Sequence, residues 1–165
     1  MYHRVMAEKE SGIPFTGRIT METALQRIIR KTGRRLVECR CPLCRQQCHT
    51  LCLGTPEDIL RLLKAGYKER LTPTGWAVGL LYGKTPGIVP MVQARQEAGR
   101  CTFFRDGLCG LHSIGLKPTE GRLSYHTITK ENLKFSKSLS WNVPREWLDE
   151  RNAGTIREIC RLMEI

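Results

Sequence analysis

The sequence predicts a small α+β domain, mostly helical with a short β-hairpin, organised around a cysteine-rich metal site. Three observations predict it. Two stretches combine helical apolar spacing with recognisable caps, "TMETALQRIIRKTG" and "GTPEDILRLLKAGY". An Asp-Gly pair separates two apolar runs in "GRCTFFRDGLCGLH", the strongest short-range hairpin signal. Finally, five of the eight cysteines fall between Cys39 and Cys52.

At 165 residues and 18.9 kDa, with 41% apolar residues and a mean hydropathy of -0.33, the chain suits one modest core. It divides into a basic N-terminal helical arm over 1–37 and a cysteine-cluster domain with C-terminal helices over 38–165. The longest uncharged stretch, Leu71 to Gly83, carries Pro73 and several glycines and is too short to span a bilayer. The opening "MYHRVMAEKE" is charged where a secretory leader needs an apolar run, which points to the cytoplasm. Such a compartment disfavours structural disulfides and turns the cysteines toward metal or redox chemistry.

In the first helix Thr20 is the expected N-cap, Leu25, Ile28 and Ile29 form one stripe, and Gly33 is the stop. In the second, Thr55 caps, Pro56 takes the first helical position, and Asp58 completes the box. Ile59, Leu60 and Leu63 turn inward, and Gly66 closes the helix. Residues between Gly66 and Pro90 are rich in glycine and proline and carry no clear periodicity. The tail predicts a short helix in "VPREWLDE" and another from Ala153 to Met163, striped by Ile156, Ile159, Cys160 and Met163.

The hairpin register decides which thiols can meet. A three-residue loop, Arg105 to Gly107, pairs Phe104 with Leu108 and Phe103 with Cys109, leaving Cys101, Phe103 and Cys109 on one face. A two-residue Asp106-Gly107 loop pairs Cys101 with His112 and sends Cys109 to the other face. We favour the first, which delivers two thiolates to one point. "CPLC", Cys41 to Cys44, supplies the matching pair, because a tight turn orients two sulfurs toward one ion. Cys39, Cys52 and Cys160 read as small buried hydrophobes.

These residues carry a family resemblance. Cys41-Pro-Leu-Cys44-Arg-Gln-Gln47-Cys48 resembles the CxxCxxCC signature of a bacterial and archaeal family of zinc- or iron-chelating domains. The similarity continues in "TPEDILRLL", "CTFFRDGLCGLH" and "LKPTEGR", covering roughly Cys39 to His126. Gln47 and Gly121 stand where that pattern has cysteines. The resemblance implies Cys41, Cys44, Cys48, Cys101 and Cys109 as ligand positions. For zinc we expect Cys41, Cys44, Cys101 and Cys109, with Cys48 a substitute or neighbour and His112 able to replace one of them. Cys41, Cys44 and Cys48 with Cys101 or Cys109 would equally serve an iron-sulfur cluster.

The formal charge of +11 invites nucleic acid as a partner, although four thiolates around a divalent cation would offset part of it. "RIIRKTGRR" is the one dense basic run, and reads as a solvated helix face and its turn before it reads as a phosphate patch. Glycine-rich phosphate loops, nucleophile elbows and HExxH helices are missing from the sequence. His49 reads as orienting a ligand or facing solvent, and His3 and His126 show no partner. Trp76, Trp141 and Trp147 read as packing residues. Glu120 and Arg122 are the best polar candidates near the site. Three functions follow: a metal protein with a structural zinc site that presents a surface to a protein partner, an iron or iron-sulfur enzyme, and a zinc-stabilised nucleic-acid binder. No membrane partner is expected.

Overall fold

Capping chemistry sets the two clearest helices. The computed structural model describes residues 21–38, 41–125 and 129–165. Helix α1 runs Ala24–Thr32 and ends on Gly33, whose left-handed backbone (φ 73°) closes the last turn. Its cap is Thr23: the hydroxyl accepts from Gln26 N at 3.2 Å and Gln26 Oε1 accepts from Thr23 N at 2.8 Å. The expected cap, Thr20, lies outside the described residues. Helix α3, Pro56–Lys64, has the capping box the sequence predicts, Thr55 with Asp58. It buries Ile59, Leu62 and Leu63, whereas Leu60 is only partly covered, so Leu62 replaces Leu60 on the inward stripe.

The α+β class holds. Seven α-helices and three antiparallel strand pairs make up the regular structure of the described residues. The remaining helices are α2 (Pro42–Gln46), α4 (Val78–Leu81), α5 (Thr119–Leu123), α6 (Leu139–Arg145) and α7 (Ala153–Met163). The predicted "VPREWLDE" helix is displaced: α6 starts earlier, at Leu139, and Pro144 sits near its end, after which Glu146–Leu148 tightens into a 3-10 turn. Helix α7 has its predicted bounds, and of its stripe only Ile159 is fully buried.

The unassigned glycine- and proline-rich stretch supplies one strand of the largest pair and the start of the other. Strand β1 (Leu71–Trp76) pairs antiparallel with β2 (Val89–Ala94), from Leu71 opposite Ala94 to Trp76 opposite Val89. In a two-stranded sheet both strands are edges, so Pro73 and Pro90 are tolerated where a central strand would reject them. Helix α3 packs against β2 and α7, and α1 against α6. Ile28, Ile59, Leu62, Val89, Val92, Leu123, Val143 and Ile159 interlock in the shared core.

Two small hairpins follow β2. Strands β3 (Gln96–Glu97) and β4 (Arg100–Cys101) join through Ala98-Gly99, and β5 (Phe104–Arg105) and β6 (Leu108–Cys109) through Asp106-Gly107. Ala98 (φ 48°), Gly99 (φ 73°), Asp106 (φ 50°) and Gly107 (φ 75°) all have positive φ, the signature of type I′ turns. The favoured three-residue loop is therefore wrong: Arg105 pairs with Leu108 and Phe104 with Cys109. Cys101 pairs with Gln96 in the preceding hairpin, which neither expected register foresaw. Ala98 is strained at this φ, where asparagine is far better tolerated. Ala98→Asn is expected to raise stability by roughly 1 kcal/mol, read as a higher urea midpoint at unchanged slope.

Candidate functional site

A cavity of about 520 Å³ opens between the cysteine segment, the two hairpins and the start of α5. Its position follows from local bonds. The Arg70 carbonyl accepts from Arg95 N at 2.8 Å and from Thr102 Oγ1 at 3.2 Å, which ties the hairpins to the end of β1 and β2. On the opposite wall the Asp58 carboxylate accepts from Thr55 N at 3.0 Å and from Thr119 N at 2.8 Å, so one side chain caps α3 and anchors the entry to α5. Leu53 and Glu120 clasp each other twice: Glu120 N donates to Leu53 O at 3.1 Å, and Leu53 N donates to Glu120 Oε2 at 2.7 Å. The Trp147 indole adds a bond to Gly54 O at 3.0 Å from the core side.

Five cysteines line this cavity: Cys44, Cys48, Cys52, Cys101 and Cys109. Cys44 lies in α2, and Cys48 in the 3-10 turn Gln47–His49 against which β4 packs. Cys41 is the N-cap residue of α2 and is not among the lining residues. His112 lines the wall just beyond Cys109, and Gly121 lines the floor. His49 is turned away and packs its ring against Phe104 at 5.4 Å. His3, Cys39 and His126 lie outside the described residues.

The thiols are electrostatically unequal. Cys48 and Cys109 act most strongly on each other, which holds the Cys109 pKa down and pushes the Cys48 pKa up. The Leu111 and His112 amides also point at the Cys109 sulfur, and the Lys117 charge helps hold it as a thiolate. At Cys101 burial raises the pKa, opposed by the Phe103 amide on its sulfur. Cys52, enclosed by the chain except where it meets the cavity, is raised well above the ordinary thiol range by that burial, with the Glu120 charge adding to it. In metal-free protein at pH 7, iodoacetamide is expected to label Cys109 well before Cys52, as peptide mass spectrometry would show; equal rates would contradict this ordering.

Glu120 is pushed up to about 7 by burial, against the lowering effect of the Leu53 amide and Arg34. A carboxyl raised in the folded state binds more protons folded than unfolded between its ordinary 4.5 and about 7. Stability is thus lost as pH rises through that window. Glu120→Gln is expected to flatten the decline in metal-free protein, measured by urea melts at pH 4.5 and pH 7.5.

Among the described residues, no three Cys, His, Asp or Glu side chains are grouped so as to hold a metal ion. Instead, the Cys48 and Cys109 thiols are shifted in opposite directions by each other, with Cys52 and Cys101 as weaker electrostatic neighbours. Compared with protein-family models, with curated proteins and with solved structures, the chain gives no match.

Sequence reasoning missed Cys52, Lys117 and Tyr125 as cavity residues, because only the fold brings 44–52 and 117–125 together. It did single out Glu120, which lines the cavity, and Arg122, which lines a smaller recess with Val37 and His112. The basic run also behaves differently from expectation. Arg27 and Arg34 are buried, Arg27 on Glu146 and Arg34 on the Leu123 carbonyl at 3.1 Å, while Arg30 pairs with Glu22. Among the described residues no helix is long and apolar enough to cross a membrane.

Proposed function

We propose that the chain binds a thiophilic metal ion, zinc before iron, in the cysteine-lined cavity. One observation carries the reading: thiols from three separate segments face one cavity, and backbone amides are directed at the sulfurs of Cys101 and Cys109. Amides aimed at sulfur stabilise thiolates, the form that ligates metal. Cys48, Cys101 and Cys109 would be the central donors, with Cys44 and His112 on the same wall. When bound, zinc would supply charge neutralisation and cross-linking between the helical cysteine segment and the hairpins. The chain's own part is to hold Cys109 as the readier thiolate, so that Cys48 is the thiol that must give up its proton as metal binds, and to bring the thiols together by rotation about each single χ1 bond.

A second reading, an iron or iron-sulfur enzyme, is favoured by the size of the cavity. About 520 Å³ exceeds what a four-ligand ion fills and lies within the roughly 300–1,000 Å³ typical of small-ligand sites. The deciding experiment is metal and acid-labile sulfide content, with a visible spectrum, on protein purified without oxygen. Colourless protein holding about one zinc per chain is expected. Brown protein with iron and sulfide would make the enzyme reading the leading one, and protein with neither would remove metal binding altogether.

A further inference from the structure

The α4 side of the molecule carries a group of rings that the cysteine cavity does not use. Tyr82, which caps the end of α4, stacks on Phe135 with ring centroids 4.5 Å apart and planes 25° from parallel. Phe135 stacks in turn on Trp141 of α6, at 5.1 Å and 29°. Three rings from three elements thus form one ladder, and none of them lines the cavity.

The ladder is fixed from within. A Cβ on Gly79 would stand 2.8 Å from Trp141 Cζ3, so the glycine lets the indole close on α4. Asn142 Nδ2 donates to the Ser136 and Ser138 carbonyls, both at 2.9 Å, and Ser138 Oγ donates to the Phe135 carbonyl at 2.8 Å. The outer end is open. Tyr82 is 63% exposed although Phe135 covers one face of its ring, so the other face is turned to solvent.

Positive charge borders that open ring. Lys84 follows it by two residues, and the Lys84 and Thr85 amides donate to the Gly79 carbonyl at 2.7 and 3.2 Å, which folds this loop back onto α4. Lys134 and Lys137 lie on either side of Phe135, at the 3-10 turn Phe135–Lys137. All three lysines are exposed, and among the described residues none is in an ion pair. Segments 77–90 and 132–145, which carry the rings, contain no Asp or Glu. Glu131, just before them, offsets part of the Lys137 charge.

A flat, uncovered ring face bordered by cations suits a strand whose bases are free to stack and whose phosphates run alongside. It suits an inserting membrane face less well. Leu80 and Leu81 are also exposed, but as consecutive residues of one helical turn they project about 100° apart. We infer that Tyr82 is a base-stacking platform for single-stranded nucleic acid, with Lys84, Lys134 and Lys137 meeting the phosphates. The inference is independent of the metal reading. It also selects a face, which the formal charge of +11 alone does not.

The test is fluorescence anisotropy of a labelled oligothymidylate of about 15 nucleotides, titrated with the full chain over a salt series. The unsubstituted chain is expected to bind with a Kd of about 1–100 µM near physiological salt. Tyr82→Ala is expected to weaken binding by about 5-fold or more, and Tyr82→Trp to preserve it. A duplex of the same length, whose bases are already stacked, should be indifferent to Tyr82→Ala. Lys134→Ala with Lys137→Ala is expected to lower the slope of log affinity against log salt by about 1.4. Lys64→Ala with Arg157→Ala, which removes two exposed cations from α3 and α7, should leave that slope unchanged. Circular dichroism checks that each variant folds.

No binding at low salt would overturn the inference. Binding that Tyr82→Ala leaves unchanged, or weakens equally on the duplex, would reduce the contact to charge and overturn it as well. Tyr82-dependent binding to phosphatidylserine vesicles, with none to the oligonucleotide, would assign the ladder to a membrane surface instead.

Discussion

Glu146→Ala is expected to destabilise the protein by about 3–5 kcal/mol, because it leaves a guanidinium buried without its counter-charge. Arg27 and Glu146 are almost completely buried, at 3% and 1% exposure, and Arg27 Nη2 donates to Glu146 Oε2 at 2.5 Å with Nε at 3.2 Å from the same oxygen. Asn152 Nδ2 adds bonds to that oxygen at 2.9 Å and to the Glu146 carbonyl at 2.7 Å. The triad ties α1 to the end of α6 and to the entry of α7, with Arg27 and Glu146 119 residues apart in sequence. Domains of this kind are stable by about 5–15 kcal/mol, so the loss would be a large fraction of the total.

The pair need not be a net stabiliser to behave this way. Removing both charges with partners of similar volume, as in Arg27→Met with Glu146→Leu, is expected to recover most of the single-variant loss. A double-mutant cycle by urea denaturation should therefore give a coupling of about 2 kcal/mol or more. A single-variant cost below about 1 kcal/mol would mean that water reaches the pair.

The basic run containing Arg27 shows why charge is hard to read from sequence. Arg27 and Arg34 look like part of a solvated stripe, and only the position of Glu146 and of the Leu123 carbonyl, far along the chain, explains their burial. Local chemistry was readable where it is local. The Thr55-Asp58 box, Pro56 and the Ala153–Met163 helix are written in consecutive residues, and the structure has them. Strands β1 and β2 were illegible because Pro73 and Gly75 interrupt β1 and Pro90 interrupts β2, and an isolated two-stranded sheet permits this. The Ala98-Gly99 turn was illegible because alanine rarely takes positive φ. That same turn moves Cys101 out of the hairpin that holds Cys109, so the register that was to unite them was wrong while the two thiols still share a cavity. Of the residues that the sequence proposes as metal ligands, Cys44, Cys48, Cys101, Cys109 and His112 line the cavity and Cys41 does not, while Cys52, which reads as core, also lines it.

On the proposed metal-binding reading, chelation is expected to loosen the cysteine segment and the hairpin turns while the helical core stays folded. The sequence alone suggested a site that supports the whole fold, since structural zinc can contribute on the order of 10 kcal/mol in small domains. The distribution of burial argues for a more local effect. No residue of α2 or of the turn Gln47–His49 is buried, and β3 to β6 are two-residue strands. By contrast α3, β2, α6 and α7 interlock through Ile59, Leu62, Val92, Val143 and Ile159, none of which touches the cavity wall. Regions with few buried apolar groups open first, and an ion that bridges them raises the free energy of that opening alone. Hydrogen exchange with and without a strong chelator would read this directly. Amides of 43–50 and of the hairpin strands β3 to β6 are expected to lose protection on chelation, by about 100-fold or more if the ion contributes even 3 kcal/mol to that region, whereas those beside the core residues Phe103 and Leu111 keep theirs. Amides of α3 and α7 should hold theirs. Collapse of protection across α3 and α7 as well would make the cysteine site a condition of folding, and the core named above would then be insufficient without it.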